Sequence, residues 1–162
     1  SGMDGNDTIN GNKGSDFING NIGDDTVRGG RGDDTVRGGQ GNDILFADRG
    51  TDHLYGDRGD DIYIFGQHAE HVFIHPDGDG RDTLRCEGVR VLLEARLGDD
   101  LKLWMSNGGT IHVLGIFVTS TIDEFTGCGQ RFGTNQNPLT NNGDDQTNVL
   151  VGTMGSDAIN GL

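Results

Sequence analysis

The stretch from Gly2 to Ile64 decides the fold. In steps of nine it reads GMDGNDTIN (2–10), GNKGSDFIN (11–19), GNIGDDTVR (20–28), GGRGDDTVR (29–37), GGQGNDILF (38–46), ADRGTDHLY (47–55) and GDRGDDIYI (56–64). The fourth position is always glycine: Gly5, Gly14, Gly23, Gly32, Gly41, Gly50 and Gly59. The sixth is always aspartate: Asp7, Asp16, Asp25, Asp34, Asp43, Asp52 and Asp61. The eighth is large and mostly aliphatic: Ile9, Ile18, Val27, Val36, Leu45, Leu54 and Tyr63. A disordered Gly/Asp linker does not hold three fixed positions over seven units. Fixed-period self-similarity is instead the mark of a solenoid.

Each unit divides into a six-residue turn, whose glycines supply positive φ, and a three-residue strand with the eighth position pointing inward. The units resemble the RTX, or haemolysin-type calcium-binding, nonapeptide GGxGxDxUx. The second position departs from glycine at Met3, Asn12, Asn21, Asp48 and Asp57. Asn and Asp tolerate the left-handed region, so four of these departures are mild. The resemblance implies an all-β fold, a calcium-binding parallel β-roll of two short-stranded parallel sheets. One coil takes two repeats, roughly 18 residues, and stacks about 4.8 Å from the next. Odd repeats then form one sheet and even repeats the other.

Such stacking sets aspartates above one another: Asp7, Asp25, Asp43 and Asp61 on one edge, Asp16, Asp34 and Asp52 on the other. Like charges about 5 Å apart repel. A hard dication that takes six to eight oxygens removes the conflict. Five gaps between stacked aspartates give an expectation of about five calcium ions, three on one edge and two on the other. The family resemblance further implies backbone carbonyl ligands in the turns, such as those of Gly20, Gly23, Gly29, Gly32, Gly38 and Gly41. Residues 2–64 hold 13 Asp and six Lys or Arg, a net of −7, so five dications are not forbidden by charge. Asp24, Asp33 and Asp60, at the fifth position, are expected to face water and to pair loosely with Arg31, Arg49 and Arg58.

The whole composition agrees. Only 31% of the 162 residues are hydrophobic and 30 are glycine, too little apolar matter for a conventional core throughout. A net charge of −14 argues against nucleic acid and anionic membranes as partners and suits cations. No run of 18 apolar residues is present to span a membrane. The chain is expected to be a piece of a larger protein.

Beyond Ile64 the pattern decays. Residues 65–73 keep Glu70 and Val72 in the sixth and eighth positions but have His68 where glycine belongs. Asp77–Arg85 recovers the motif three residues out of register, with Asp82 in the metal position and Leu84 inward. Val91–Leu97, Leu101–Met105 and Thr110–Phe117 read as an antiparallel meander with Leu92, Leu101, Leu103, Trp104, Ile111, Val113, Leu114 and Phe117 as core candidates. The segment 65–130 is expected to cap the roll of residues 1–64. Residues 131–147 read as a linker, and 148–162 as the start of a second array, carrying Asp157. Asp82 and Asp157 are therefore two further candidate ligands, with Asp77 and Asp79 weaker ones. Cys86 and Cys128 are read as buried free thiols in preference to a disulfide.

No catalytic constellation is present: no H-E-x-x-H, no G-x-S-x-G, no phosphate loop. His71 and His75 lack the glutamate of a zinc motif and lie in strand-like sequence, while His53, His68 and His112 read as surface residues. The expected function is a non-catalytic calcium-binding module, folding outside the cell on a secreted or cell-surface protein. By resemblance, secretion would follow the type I route. Two alternatives are an accessory module that tethers substrate for a secreted enzyme and an adhesion module. Calcium is the expected partner, with end-to-end contact between rolls as a further one.

Overall fold

The computed structural model describes residues 1–76, 79–116 and 122–129. Asp77, Phe117, the linker and the unit with Asp157 lie outside the described residues. The strands are β1 (Thr8–Asn10), β2 (Phe17–Ile22), β3 (Thr26–Arg28), β4 (Thr35–Gln40), β5 (Ile44–Ala47), β6 (Thr51–Arg58), β7 (Ile62–Gly66), β8 (His71–His75), β9 (Asp82–Glu87), β10 (Val91–Leu97), β11 (Asp100–Met105), β12 (Thr110–Val113) and β13 (Ile122–Thr126). They form a parallel β-roll that continues into a mixed sheet. One sheet has the order β1-β3-β5-β7-β9-β13 and the other β10-β11-β12-β8-β6-β4-β2. Odd and even repeats therefore do separate onto two sheets.

The register is set by the repeat. Ile9 lies beside Val27, Val27 beside Leu45, and Leu45 beside Tyr63. Ile18, Val36 and Leu54 make the matching ladder. Between the sheets these side chains are almost wholly buried from Ile18 onward. From Gly23 to Gly59 the turns stack closely enough that only glycine fits the fourth position. Gly32 sits at φ 129°, and a Cβ there would collide with the Gly14 carbonyl. At the second position Asn12, Asn21 and Asp57 do adopt positive φ (74°, 86° and 71°), as their side chains allow.

The register slips after the seventh repeat, and the two sheets slip differently. On one, Tyr63 lies beside Leu84, which absorbs the three extra residues as the sequence suggests. On the other, Leu54 lies beside Ile74 and Asp52 beside Val72. This corrects the reading of residues 65–73. Ile74 takes the rung beside Leu54, and Val72, buried on the same face, stands next in line after Asp52. Glu70 is exposed, and its carbonyl accepts the Thr110 N–H.

The meander is present as β10–β11–β12, antiparallel and joined in parallel to β8. Leu101, Leu103, Ile111 and Val113 are buried as expected. Leu92 is not: at 48% exposed it lies at a bulge on the terminal strand. Trp104 and Leu114 are only half-buried. The cysteines are joined, Cys86–Cys128. This overturns the free-thiol reading, because β13 pairs with β9 and brings Cys128 over the end of β9. Among the described residues, no helix is long and apolar enough to cross a membrane.

Candidate metal centre

Each turn aims its aspartate into the stack. The register of the strands places sixth positions two repeats apart in direct succession. One carboxylate oxygen of each then accepts the backbone N–H of the aspartate before it. Asp7 donates to Asp25 Oδ1 at 2.7 Å, Asp25 to Asp43 Oδ1 at 2.7 Å, and Asp43 to Asp61 Oδ1 at 2.8 Å. On the other edge Asp16 donates to Asp34 Oδ1 at 2.8 Å and Asp34 to Asp52 Oδ1 at 3.2 Å. These are two ladders of aspartates, divided between the edges as the sequence reading has them. Asp82 lengthens the first ladder, since its Oδ1 accepts the Asp61 N–H at 3.0 Å. Val72 ends the second.

The other oxygen has no such use. Oδ2 of Asp16, Asp25, Asp34, Asp43, Asp52 and Asp61 is buried without a hydrogen-bond partner. From Asp25 onward the aspartates are themselves almost fully buried, whereas Asp7 and Asp16, at the open end, are half-buried. A buried carboxylate oxygen left unpaired is costly. Desolvation accordingly pushes the carboxyls up: Asp34 is raised, Asp43 reaches about 6, Asp52 about 7 and Asp61 about 8. Burial is the largest cause. Neighbouring carboxylates add to it, and the backbone N–H bond in each ladder opposes it.

The orphaned oxygens converge with backbone carbonyls beside the first-position glycines. At Gly11, Asp16 Oδ2 and the Gly29 carbonyl oxygen stand 2.7 and 2.5 Å from where a Cβ would be. Gly20 faces Asp25 Oδ2 and the Gly38 carbonyl, and Gly38 faces Asp43 Oδ2 and the Gly56 carbonyl. Gly29 faces Asp34 Oδ2, and Gly2 faces the Gly20 carbonyl and Asp7 Oδ2, which is not orphaned because it accepts the Met3 N–H at 2.7 Å. These cradles contain oxygen donors only, anionic and neutral, which is the donor chemistry of calcium. The residues present therefore fit that ion. Gly23, Gly32 and Gly41 are pressed against the turn one coil away.

The cradles stop at the sixth and seventh repeats. Ala47 replaces the glycine and puts a buried methyl group there. At Gly56 the phenolic oxygen of Tyr63 enters instead, accepting the Gly56 N–H at 3.0 Å and lying 3.5 Å from Asp82 Oδ2. A hydroxyl-bearing residue in the inward series is the signal that marks this closure in the sequence.

Sequence reasoning missed a second ladder outside the first. Asp24 Oδ1 accepts the Asn42 N–H, Asp33 Oδ1 the Thr51 N–H and Asp60 Oδ1 the Arg81 N–H, each at 2.8 Å. Asp24, Asp33 and Asp60 are exposed, as expected, yet they latch successive turns. Among the described residues Arg31, Arg49 and Arg58 do not pair with them. Ion pairs among the described residues include Arg28–Asp48, Arg37–Asp57 and Arg85–Glu87. Outside the array, the register brings His53 Nδ1 to 2.9 Å from His75 Nε2, a contact between strands that the spacing of His71 and His75 does not suggest. Among the described residues, no cluster of three or more His, Cys, Asp or Glu is disposed to hold a metal in the ordinary way. The cradles depend on main-chain oxygens.

The family comparison agrees with this geometry. A four-copy family model described as the RTX calcium-binding nonapeptide repeat matches residues 1–36 and 28–63. No curated protein matches the chain. Ladders of aspartate, oxygen-only cradles and the family match converge on one statement: residues 1–63 match a run of RTX calcium-binding nonapeptide repeats.

Proposed function

We propose that the roll folds around about five calcium ions, one at each of the cradles beside Gly2, Gly11, Gly20, Gly29 and Gly38. The observation that carries this reading is the row of buried Oδ2 atoms without partners. In this reading Asp7, Asp16, Asp25, Asp34, Asp43, Asp52 and Asp61 supply the carboxylates, and Asp25, Asp34 and Asp43 each serve two ions. Carbonyls of the turn glycines complete the shells. Asp82 acts as a structural end to its ladder, because Tyr63 closes the cradle beside it. Ligand sites of this kind do not preexist in the unfolded chain, so binding and folding are one event.

Such a module suits an environment rich in calcium, outside the cell, on a secreted or surface protein whose own activity lies elsewhere. Circular dichroism and calorimetry with calcium and with chelator test the proposal. A chain that folds cooperatively in chelator to the same melting temperature sinks it.

A further inference from the structure

The strand β10 ends the seven-stranded sheet, and its outer edge carries exposed leucines. Leu92, Leu93 and Leu97 are 48%, 41% and 48% exposed along it. An edge strand offers unpaired N–H and C=O groups, and proteins usually guard such edges with charge, proline or a cover. Here Cys128 covers only the first residue, its carbonyl accepting the Val91 N–H at 3.1 Å. Among the described residues nothing pairs with the outer edge from Leu93 to Leu97.

The side chains of this edge alternate in a self-complementary way. Leu93 and Ala95 lie beside Trp104 and Lys102 on the outer face, and Leu97 follows on the same face. Glu94 lies beside Leu103 on the inner face, and Arg96 beside Leu101. Glu94 is 8% exposed, and its Oε2 is buried without a hydrogen-bond partner. Arg96 is exposed and bonds to the Gly98 carbonyl through Nε at 2.8 Å.

We infer that β10 is a self-association edge: two copies of the chain pair their β10 strands antiparallel about a two-fold axis at Ala95. In that register Leu93 faces Leu97 of the second copy, and Glu94 faces Arg96 of the second copy, each contact occurring twice. Directly opposed side chains in an antiparallel pair have Cβ atoms about 5 Å apart, close enough for both contacts. The guanidinium supplies the partner that the Glu94 carboxyl lacks. A register centred on Glu94 sets like carboxylates together, so charge selects the Ala95 axis. The inference goes beyond calcium binding and uses no calcium ligand.

Sedimentation velocity on the whole chain in saturating calcium tests it. A five-residue edge contact is small, so the expected result is a monomer–dimer equilibrium with a dissociation constant on the order of tens of micromolar. Arg96→Glu sets four carboxylates together across the axis and is expected to raise that constant at least roughly tenfold. Leu97→Lys, at an exposed position away from the core, does the same if the first variant folds poorly. Phe17→Lys, on the opposite terminal strand of the same sheet, leaves it unchanged. A chain that stays monomeric to about 200 micromolar, some tenfold above that constant, overturns the inference. So does a dimer lost in Phe17→Lys and kept in Arg96→Glu, which means end-to-end stacking of rolls.

Discussion

Asp34 and Asp7 hold the same position in their repeats and differ in what surrounds them. Asp34 is buried, accepts the Asp16 N–H and donates its own N–H to Asp52. Asp7 sits half-buried at the open end, with a single neighbour in its ladder. Losing a charge-assisted ligand costs about 1.5–3 kcal/mol, roughly ten- to a hundredfold in an equilibrium constant. Asp34→Asn is therefore expected to raise the calcium midpoint of folding by at least about tenfold, and Asp7→Asn by about threefold or less. Calcium titrations followed by circular dichroism measure both. Protons compete for the same oxygens. The carboxyls of Asp43, Asp52 and Asp61, at about 6, 7 and 8, lie above the unfolded value near 3.9. The metal-free roll thus binds more protons than the unfolded chain between about pH 4 and pH 8, and its stability falls as pH rises through that window. In chelator the chain is expected to be more ordered at pH 5 than at pH 8, and calcium binding near pH 7 is expected to release protons. Calorimetry in two buffers of different ionisation enthalpy measures the release.

Elements follow the repeat as far as the repeat holds, and this sets how much was legible. Invariant glycine and aspartate positions with an aliphatic eighth fix turn, strand and sheet together, so β1 to β7 and both aspartate ladders could be read from spacing. The slip after Ile64 could be read on one sheet, where Asp82 and Leu84 recover the motif, and not on the other. Which of Val72 and Ile74, both buried, takes the rung beside Leu54 depends on how β8 is held between β6 and β12, a contact with residues about 40 positions away. The Cys86–Cys128 bond was hidden for the same reason, since β13 returns to β9 across the meander. The hydroxyl of Tyr63 lay in plain view but became meaningful only beside Gly56 and Asp82. Removing it is informative. Tyr63→Leu restores an ordinary inward residue and vacates the Gly56 cradle, so the chain is expected to bind one more calcium ion than the parent. Equilibrium dialysis counts it, and unchanged stoichiometry would show that Tyr63 is not the stopper. Gly32→Ala works in the opposite direction. A methyl group at positive φ against the Gly14 carbonyl is expected to cost more than about 2 kcal/mol and to lower the melting temperature in saturating calcium.

At the scale of the molecule, two kinds of constraint hold the two ends. The first repeats have little buried apolar area, with Met3 and Phe17 exposed, and on the proposed reading rely on metal ligation. The far end has a conventional core: Leu103, Met105, Ile111 and Val113 beneath the meander, and a covalent tie from β9 to the end of β13. Calcium acts on the first end through mass action, contributing in proportion to the logarithm of its concentration. The disulfide acts on the second regardless of calcium. It closes a loop with a sequence separation of 42, for which the stabilisation is typically about 2–4 kcal/mol. Reduction is therefore expected to lower the melting temperature in saturating calcium while leaving calcium stoichiometry unchanged, because no cradle touches Cys86 or Cys128. Cys86→Ser should reproduce the reduced protein, and adding reductant to that variant should have no further effect. Calorimetry paired with a calcium count separates the outcomes. A fall in the number of ions bound on reduction would mean that the cap and the array fold as a single unit, with the disulfide supporting the cradles from the far end of the roll.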